Sequence, residues 1–354
     1  MEREGRFKAL ALISAVAIIV NAVVGIVLVV RGGGYMSIAY AQLAYSAVYT
    51  GLALYVGRHH ARYQFGRQAW RRVLRFSMQT LAISGMHTAG GRITELLIGR
   101  IINLSALGLF NRASGLNNLV WQNIASIVSR VVLVDFAETH RQQISLRDRY
   151  LRTVAVMTAI LWPAFAGLAV IARPFIVWVY GERWEAAVMP LVYLAISSIL
   201  LTSVSMTWEV FTSTGRMREQ TRVETIRVIV GTGLFAVGCL YGLEGAAASR
   251  IVDAVLALFI YRPYLNSMTE TTTRDFLPIY LRSGLATLLA ILPASAVVVF
   301  YGAALPPLPL MSVAMLLGGG AWLGCLAMLD HPAWQEVRKV MGPLVERLGR
   351  KLVR

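Results

Sequence analysis

Residues 91–113 read GRITELLIGRIINLSALGLFNRA. Arg92, Glu95, Arg100 and Arg112 stand there among Ile, Leu and Phe, in a run apolar enough to enter lipid. A charge at bilayer depth costs about 2.5–3.5 kcal/mol on insertion scales, so such residues face a cavity or a partner. Arg92 and Glu95 are three positions apart on one helical face, a spacing at which they neutralise each other. Gly99 continues that face, and Arg100 is turned about a quarter-turn from it.

The rest of the chain settles the class. Of 354 residues, 57% are hydrophobic and 15% charged, and the mean hydropathy is +0.61. A soluble domain needs more polar surface, so the chain is a polytopic membrane protein. Cys239 and Cys325 lie far apart in apolar runs and form neither a disulfide framework nor a metal-binding spacing. The five histidines make no metal-ligand pattern, and His59-His60 reads as a solvated loop pair; no metal and no cofactor is expected. The net charge of +16 sits in short loops between apolar runs rather than along one soluble face. It therefore reads as an orientation signal and not as a nucleic-acid surface. The first apolar run, 9–30, is long enough to span and lacks a small-residue cleavage pattern, which predicts an uncleaved helix.

Crossing the hydrocarbon takes about 20 apolar residues. Ten segments qualify: 9–30, 35–56, 76–98, 106–134, 152–171, 186–207, 223–243, 245–264, 277–301 and 307–329. None has the period-two alternation of barrel strands, so the fold is all-α with about ten transmembrane helices. Most of the 34 basic residues fall on one side, in the N-terminus, in 57–75, in 141–152, in 216–227, in 262–282 and in the tail. That asymmetry places both termini in the cytoplasm. The run 57–75, GRHHARYQFGRQAWRRVLR, is the expected boundary between two bundles. In 331–354, Trp334, Val337, Met341, Leu344, Val345, Leu348 and Leu352 recur at helical spacing among basic residues. This is an amphipathic helix for the anionic inner leaflet, with a partner-binding helix as the alternative.

Polar residues concentrate in particular spans. Asn111, Arg112, Asn117, Asn118, Gln122, Asn123, Ser129 and Arg130 form a strip in the fourth. Arg250 and Asp253 repeat the ion-pair spacing in the eighth, and Glu209 ends the sixth. Taken singly, these residues have a structural explanation in snorkelling or local pairing. Taken together, an arginine-lined cavity suits a phosphate-bearing substrate, because guanidinium stays charged and donates in a bidentate fork. No paired catalytic carboxylate, phosphate loop or nucleophile elbow is present, and the external loops are short, which favours a transporter over an enzyme.

The segment GRIINLSALGLFNRA (99–113) resembles the Wzx-type oligosaccharide flippases of the MATE-like multidrug/oligosaccharidyl-lipid/polysaccharide exporter superfamily. Those proteins carry a Gly-Arg or Gly-Lys pair, about seven residues, then Ala-Leu-Gly and an aromatic. Gly99-Arg100, Ala106-Leu107-Gly108, Phe110 and Arg112-Ala113 follow that order. RRVLRFSMQTLAISG (71–85) looks like the start of the second lobe, and PFIVWVYGERWEAA (174–187) like the family's Pro-apolar-Gly-x-basic-Trp block. The likeness covers roughly 1–265. Two positions depart: the usual Asp five residues before the Gly is Thr94, and a Gly four residues after it is Asn103.

The resemblance implies a MATE-like flippase fold with an incomplete first lobe, lacking about four N-terminal spans of the usual 14. The implied organisation is a two-helix remnant of the first lobe (1–57), an inter-lobe loop (58–75), a second-lobe bundle (76–265), C-terminal transmembrane helices (266–330) and a cytoplasmic tail helix (331–354). The implied substrate is an oligosaccharide on a polyprenyl pyrophosphate, moved across the cytoplasmic (inner) membrane for lipopolysaccharide or exopolysaccharide synthesis. Membrane lipids and the polysaccharide polymerase machinery are the other expected partners. The expected head-group residues are Arg92, Glu95, Arg100, Arg112, Asn117, Gln122, Arg130, Arg250 and Asp253. A polysaccharide polymerase would need a large external loop, which the chain lacks. A drug or lipid antiporter of the same superfamily would favour an aromatic, acidic cavity, and a non-transporting fragment is the remaining alternative.

Overall fold

A computed structural model describes residues 7–57, 70–302, 304–328 and 333–334. Twelve α-helices make up nearly all of it, and nine of the ten apolar segments each fall mainly on one of them. The chain divides into two compact units, Met1–Leu74 and Arg75–Arg354. In the first, α1 (Phe7–Val30) and α2 (Met36–Gly57) pack as a hairpin through the Arg31–Tyr35 turn. The predicted loop is outside the described residues over 58–69, as is the predicted tail helix apart from Ala333 and Trp334.

The second unit continues from α3 (Trp70–Leu97), which ends in one π-helical turn, Ile98–Ile102. Asn103 then stops the chain in an extended conformation and caps α4 (Leu104–Arg141), its Oδ1 accepting from the Ala106 amide at 2.7 Å. This Asn does for α4 what Asn does at helix N-termini generally, satisfying an amide that lacks an intrahelical partner. The remaining helices are α5 (Arg147–Val170), α6 (Ala172–Tyr180), α7 (Val188–Thr202), α8 (Thr207–Ser213), α9 (Met217–Cys239), α10 (Gly242–Thr269), α11 (Leu277–Tyr301) and α12 (Pro307–Met328). Among the described residues five segments are long and apolar enough to cross a membrane: 12–30, 147–170, 182–213, 273–301 and 307–328. Helix α4, bent by 43° between Ser126 and Val131, makes a sixth. Helices α3, α9 and α10 carry arginines and carboxylates instead, and their polar faces point to an interior site.

Packing runs α9–α10–α7–α5–α11–α12. A Cβ at Gly238 would meet the Gly245 carbonyl at 2.7 Å, so α9 and α10 approach backbone to backbone there. Buried hydroxyls tie α5 to α11 through Thr158 and Ser283, 2.9 Å apart, and Trp322 Nε1 of α12 donates to the Ala159 carbonyl at 2.8 Å. One aromatic core joins Phe136, Tyr150, Phe165, Phe211 and Phe276; another is built around Phe110 and Phe235.

The sixth predicted span, 186–207, is not continuous. Ser203–Ser205 leave helical bonding, Met206 takes a left-handed conformation with φ of 61°, and α8 starts anew at Thr207. Carbonyls freed in an apolar bundle need donors from elsewhere. Arg262 Nη2 and the Tyr280 hydroxyl donate to the Ser203 carbonyl at 2.9 and 2.8 Å, and Thr207 Oγ1 to that of Val204 at 2.6 Å. The Tyr150 hydroxyl reaches the Ser205 carbonyl at 3.4 Å.

Candidate functional site

Two cavities in the second unit hold its polar interior. The smaller, about 150 Å³, lies between α3, α9 and α10 and is walled by Thr94, Arg227, Arg250 and Asp253 together with Gly90, Gly91 and Gly231. The larger, about 580 Å³, is walled from α4 by Trp121, Gln122 and Ser129, and from the α7–α8 break by Ser205, Trp208 and Glu209. Gln220, Glu224 and Arg227 of α9 and Tyr261 of α10 complete it. Arg227 belongs to both walls. At 1.5 Å per residue it stands about 18 Å from the end of α9, while Arg250 stands about 12 Å from the start of α10. Both therefore sit well inside the bundle.

Each cation is held by geometry that sequence spacing alone leaves open. Arg227 Nη2 meets Glu224 Oε1 at 2.8 Å and Arg227 Nη1 meets Asp253 Oδ2 at 3.4 Å. Arg227 Nε donates to the Tyr261 hydroxyl at 3.1 Å, and that hydroxyl in turn bonds Glu224. Arg250 Nη2 donates to Thr94 Oγ1 at 2.8 Å, and the Thr94 hydroxyl donates onward to the Gly90 carbonyl at 2.8 Å. The Arg250 guanidinium also lies 4.3 Å over the Phe235 ring, a cation–π contact. Its distance to Asp253 is 3.9 Å, so the expected Arg250–Asp253 pair is the weaker of the two made by that carboxylate. Gly231 makes the approach of Asp253 possible: a Cβ there would stand 2.5 Å from Asp253 Oδ1.

The nine residues expected from sequence separate into groups. Arg250 and Asp253 share the smaller cavity, and Gln122 lines the larger. Asn117 is buried and exchanges hydrogen bonds with Ser198 of α7 at 2.9 and 3.2 Å, which makes it a helix–helix fastener. Arg92 and Glu95 form an exposed ion pair at 2.9 Å. Arg100 is exposed on the π-turn, outside both cavity walls. Arg112 lies within α4, 5.6 Å from the ring centres of both Tyr180 and Trp184. The side chain of Arg130 is outside the described residues.

Sequence reasoning missed Arg227, Glu224 and Tyr261. Arg227 counts toward the basic loop by its neighbours Arg216, Arg218 and Arg222, yet it lies inside α9 and is mostly buried. Its Glu224 partner three residues before was the available signal. Thr94, noted only as a departure from the family pattern, is the acceptor for Arg250.

The arrangement offers a strip of guanidinium, carboxylate, hydroxyl and indole groups through an otherwise apolar bundle. It can accommodate a polar group at membrane depth.

Comparison with known proteins gives this geometry a family. Over 164 residues the chain is 29% identical to the teichuronic acid biosynthesis protein TuaB of Bacillus subtilis, covering 46% of this chain and 34% of that one. Over 256 residues it is 26% identical to the succinoglycan biosynthesis transport protein ExoT of Rhizobium meliloti, covering 72% and 52%. The chain thus spans about a third to a half of the length of these relatives. Its fold matches that of the lipid II flippase MurJ in an inward closed conformation, with a TM-score of 0.65, over 90% of this chain and 67% of that one at 15% identity. The chain is accordingly a multi-pass membrane protein, all-α among the described residues, that shares the fold of that structure. Residues 1–189 match the family described as "Polysaccharide biosynthesis protein", and the chain belongs to that family.

Proposed function

We propose that the protein moves the head group of a polyprenyl-pyrophosphate-linked oligosaccharide across the cytoplasmic membrane during surface polysaccharide synthesis, without covalent change to it. The observation that carries this reading is Arg227, common to both cavities, which makes one polar wall out of the Arg250 cleft and the Trp- and Gln-lined cavity. Guanidinium suits a pyrophosphate. Indole faces and amide or carboxylate acceptors suit sugar rings and their hydroxyls. For the lipid tail, a cleft of about 430 Å³ lies among α4, α5, α11 and α12, lined by Gly167, Ala290, Ala294, Ala314, Gly318 and Trp322. Its small residues leave room for an alkyl chain between helices.

The likeness to TuaB, ExoT and MurJ supports the substrate class, and the loop arginines support cytoplasmic termini. The test is complementation of a strain lacking its own oligosaccharide flippase, scored by surface polysaccharide and by lipid-linked precursor left on the inner leaflet. The chain is expected to restore export, and Arg250→Ala to abolish it while the protein still reaches the membrane. Failure to restore export with any lipid-linked glycan would reject this reading. A C-terminal alkaline phosphatase fusion is expected to be inactive, as befits a cytoplasmic end.

One observation favours a second reading. The larger cavity carries Trp121, Trp208, Glu209 and Glu224, the aromatic and acidic lining that suits an amphiphilic cation. Resistance to lipophilic cations on expression, lost in Glu224→Gln, would identify a drug antiporter instead.

A further inference from the structure

We propose that Pro163 makes α5 a hinge and that Trp322 of α12 is the latch that fixes its angle. The latch thereby sets the width of the apolar cleft of about 430 Å³ that both residues line. In an unbroken helix the amide at position 163 would donate to the Ala159 carbonyl, and proline has no amide hydrogen to give. The donor that reaches that carbonyl is the Trp322 indole, its Nε1 2.8 Å away. Ala159 is 0% exposed, so bulk water is no substitute for the indole. A carbonyl freed inside an apolar bundle needs a partner, and here the partner belongs to another helix.

The two halves of α5 have different anchors. Before Pro163, Arg147 meets Asp275 at 2.8 Å, Arg149 pairs with Asp135 of α4, and Thr158 meets Ser283 of α11 at 2.9 Å. After it, Ile171 at the end of α5 packs with Ala294 of α11 and with Leu310 and Ala314 of α12. A proline between two separately anchored halves is the place where the helix bends. Space for that bend is present: a Cβ added at Gly167 on the α5 wall of the cleft, or at Gly319 on the α12 wall, would meet nothing within 4 Å.

With the indole on the Ala159 carbonyl, α5 and α12 are tied at the hinge itself, and Trp322 packs there against Ala159, Ala286, Cys325 and Leu326. Without the indole N–H the carbonyl is a buried acceptor that has lost its donor, which costs the full desolvation of the group. Turning about Pro163 until another donor is reached relieves that cost, and the cleft between α5 and α12 changes width as it does so. The bond is therefore a switchable tie between two helices rather than one more packing contact.

This inference goes beyond the transport reading and is measured on the resting protein without substrate, so it stands or falls separately. The purified full chain is compared with three variants: Trp322→Phe, which keeps a ring and removes the N–H; Pro163→Ala, which supplies the missing amide; and the two together. Trp322→Phe is expected to raise the unfolding constant by about fivefold or more, the effect of stranding a buried acceptor. In the Pro163→Ala chain the same substitution is expected to change it by less than about twofold, because α5 then satisfies its own carbonyl. Hinge motion is read in lipid nanodiscs as the distance between spin labels on Asp148→Cys of α5 and Leu316→Cys of α12, both exposed positions, the native Cys239 and Cys325 being buried. The distance distribution is expected to be narrow with Pro163 and Trp322 intact, broadened or split in Trp322→Phe, and narrow again in the double variant. If Trp322→Phe does not elute as a single species, Pro163→Ala is expected to recover it, and a double variant that also fails overturns the proposal. So does a cost of Trp322→Phe that is the same with and without Pro163, or a label distance that Trp322→Phe leaves unchanged.

Discussion

The Arg250 guanidinium of α10 donates to the Thr94 hydroxyl of α3 at 2.8 Å, across 156 positions of sequence. A neutral hydroxyl thus takes one of the guanidinium's bonds, and among the described residues its charge partner is Asp253 at the longer distance of 3.9 Å. The guanidinium is thereby less fully neutralised than Arg227, which is held by two carboxylates.

Thr94→Val keeps the shape and removes the acceptor, leaving a half-buried guanidinium short of one bond. A hydrogen bond to a charged group contributes about 1.5–3 kcal/mol, so thermal unfolding is expected at clearly lower temperature. Thr94→Ser is expected to restore it. An equal loss in the Ser and Val variants would show that the hydroxyl contributes nothing.

Arg227→Ala leaves Glu224 and Asp253 without their common cation. Breaking a buried pair from one side costs about 3–5 kcal/mol, whereas removing both partners costs less. The double variant Glu224→Gln with Arg227→Gln is therefore expected to be more stable than Arg227→Ala. A double-mutant cycle from denaturation midpoints measures the difference.

Gly231→Ala places a methyl 2.5 Å from Asp253 Oδ1, so the carboxylate must shift from its place beside Arg227. Reduced export in the complementation assay is expected. At Gly233, nothing stands within 4 Å of an added Cβ, so Gly233→Ala is expected to be silent. Two silent variants would mean that the position of Asp253 is unimportant.

The exposed charges give a contrasting expectation. The Arg92–Glu95 pair lies on an exposed face of α3, and a pair at that spacing on one helix contributes about 0.2–0.5 kcal/mol. Arg112 over Tyr180 and Trp184 contributes about 0.5–1 kcal/mol. Alanine at Arg92 or Arg112 is expected to leave both stability and export near wild-type, measured beside Arg250→Ala. Loss of export at Arg92 would move the head-group site toward the π-turn.

Hydropathy determined the ten helical segments, because a run of about 20 apolar residues has few alternatives in a bilayer. The Gly99-Arg100 and Ala106-Leu107-Gly108 blocks determined the family resemblance, since they are contiguous and ordered. Local spacing was equally sufficient for Arg92–Glu95, a pair made within one turn of one helix. Spacing failed where partners come from different helices. It gave Asp253 to Arg250, while packing through Gly231 brought Asp253 closer to Arg227 and sent Arg250 to Thr94. It also drew 186–207 unbroken, because the donors that satisfy the carbonyls at 203–205 are Arg262, Tyr280, Thr207 and Tyr150, three of them from other helices. The sequence by itself determined which segments are helices and which family they mark. Only the tertiary structure decided which charges meet, because a charge buried among helices pairs with whatever the packed neighbours bring within hydrogen-bond reach.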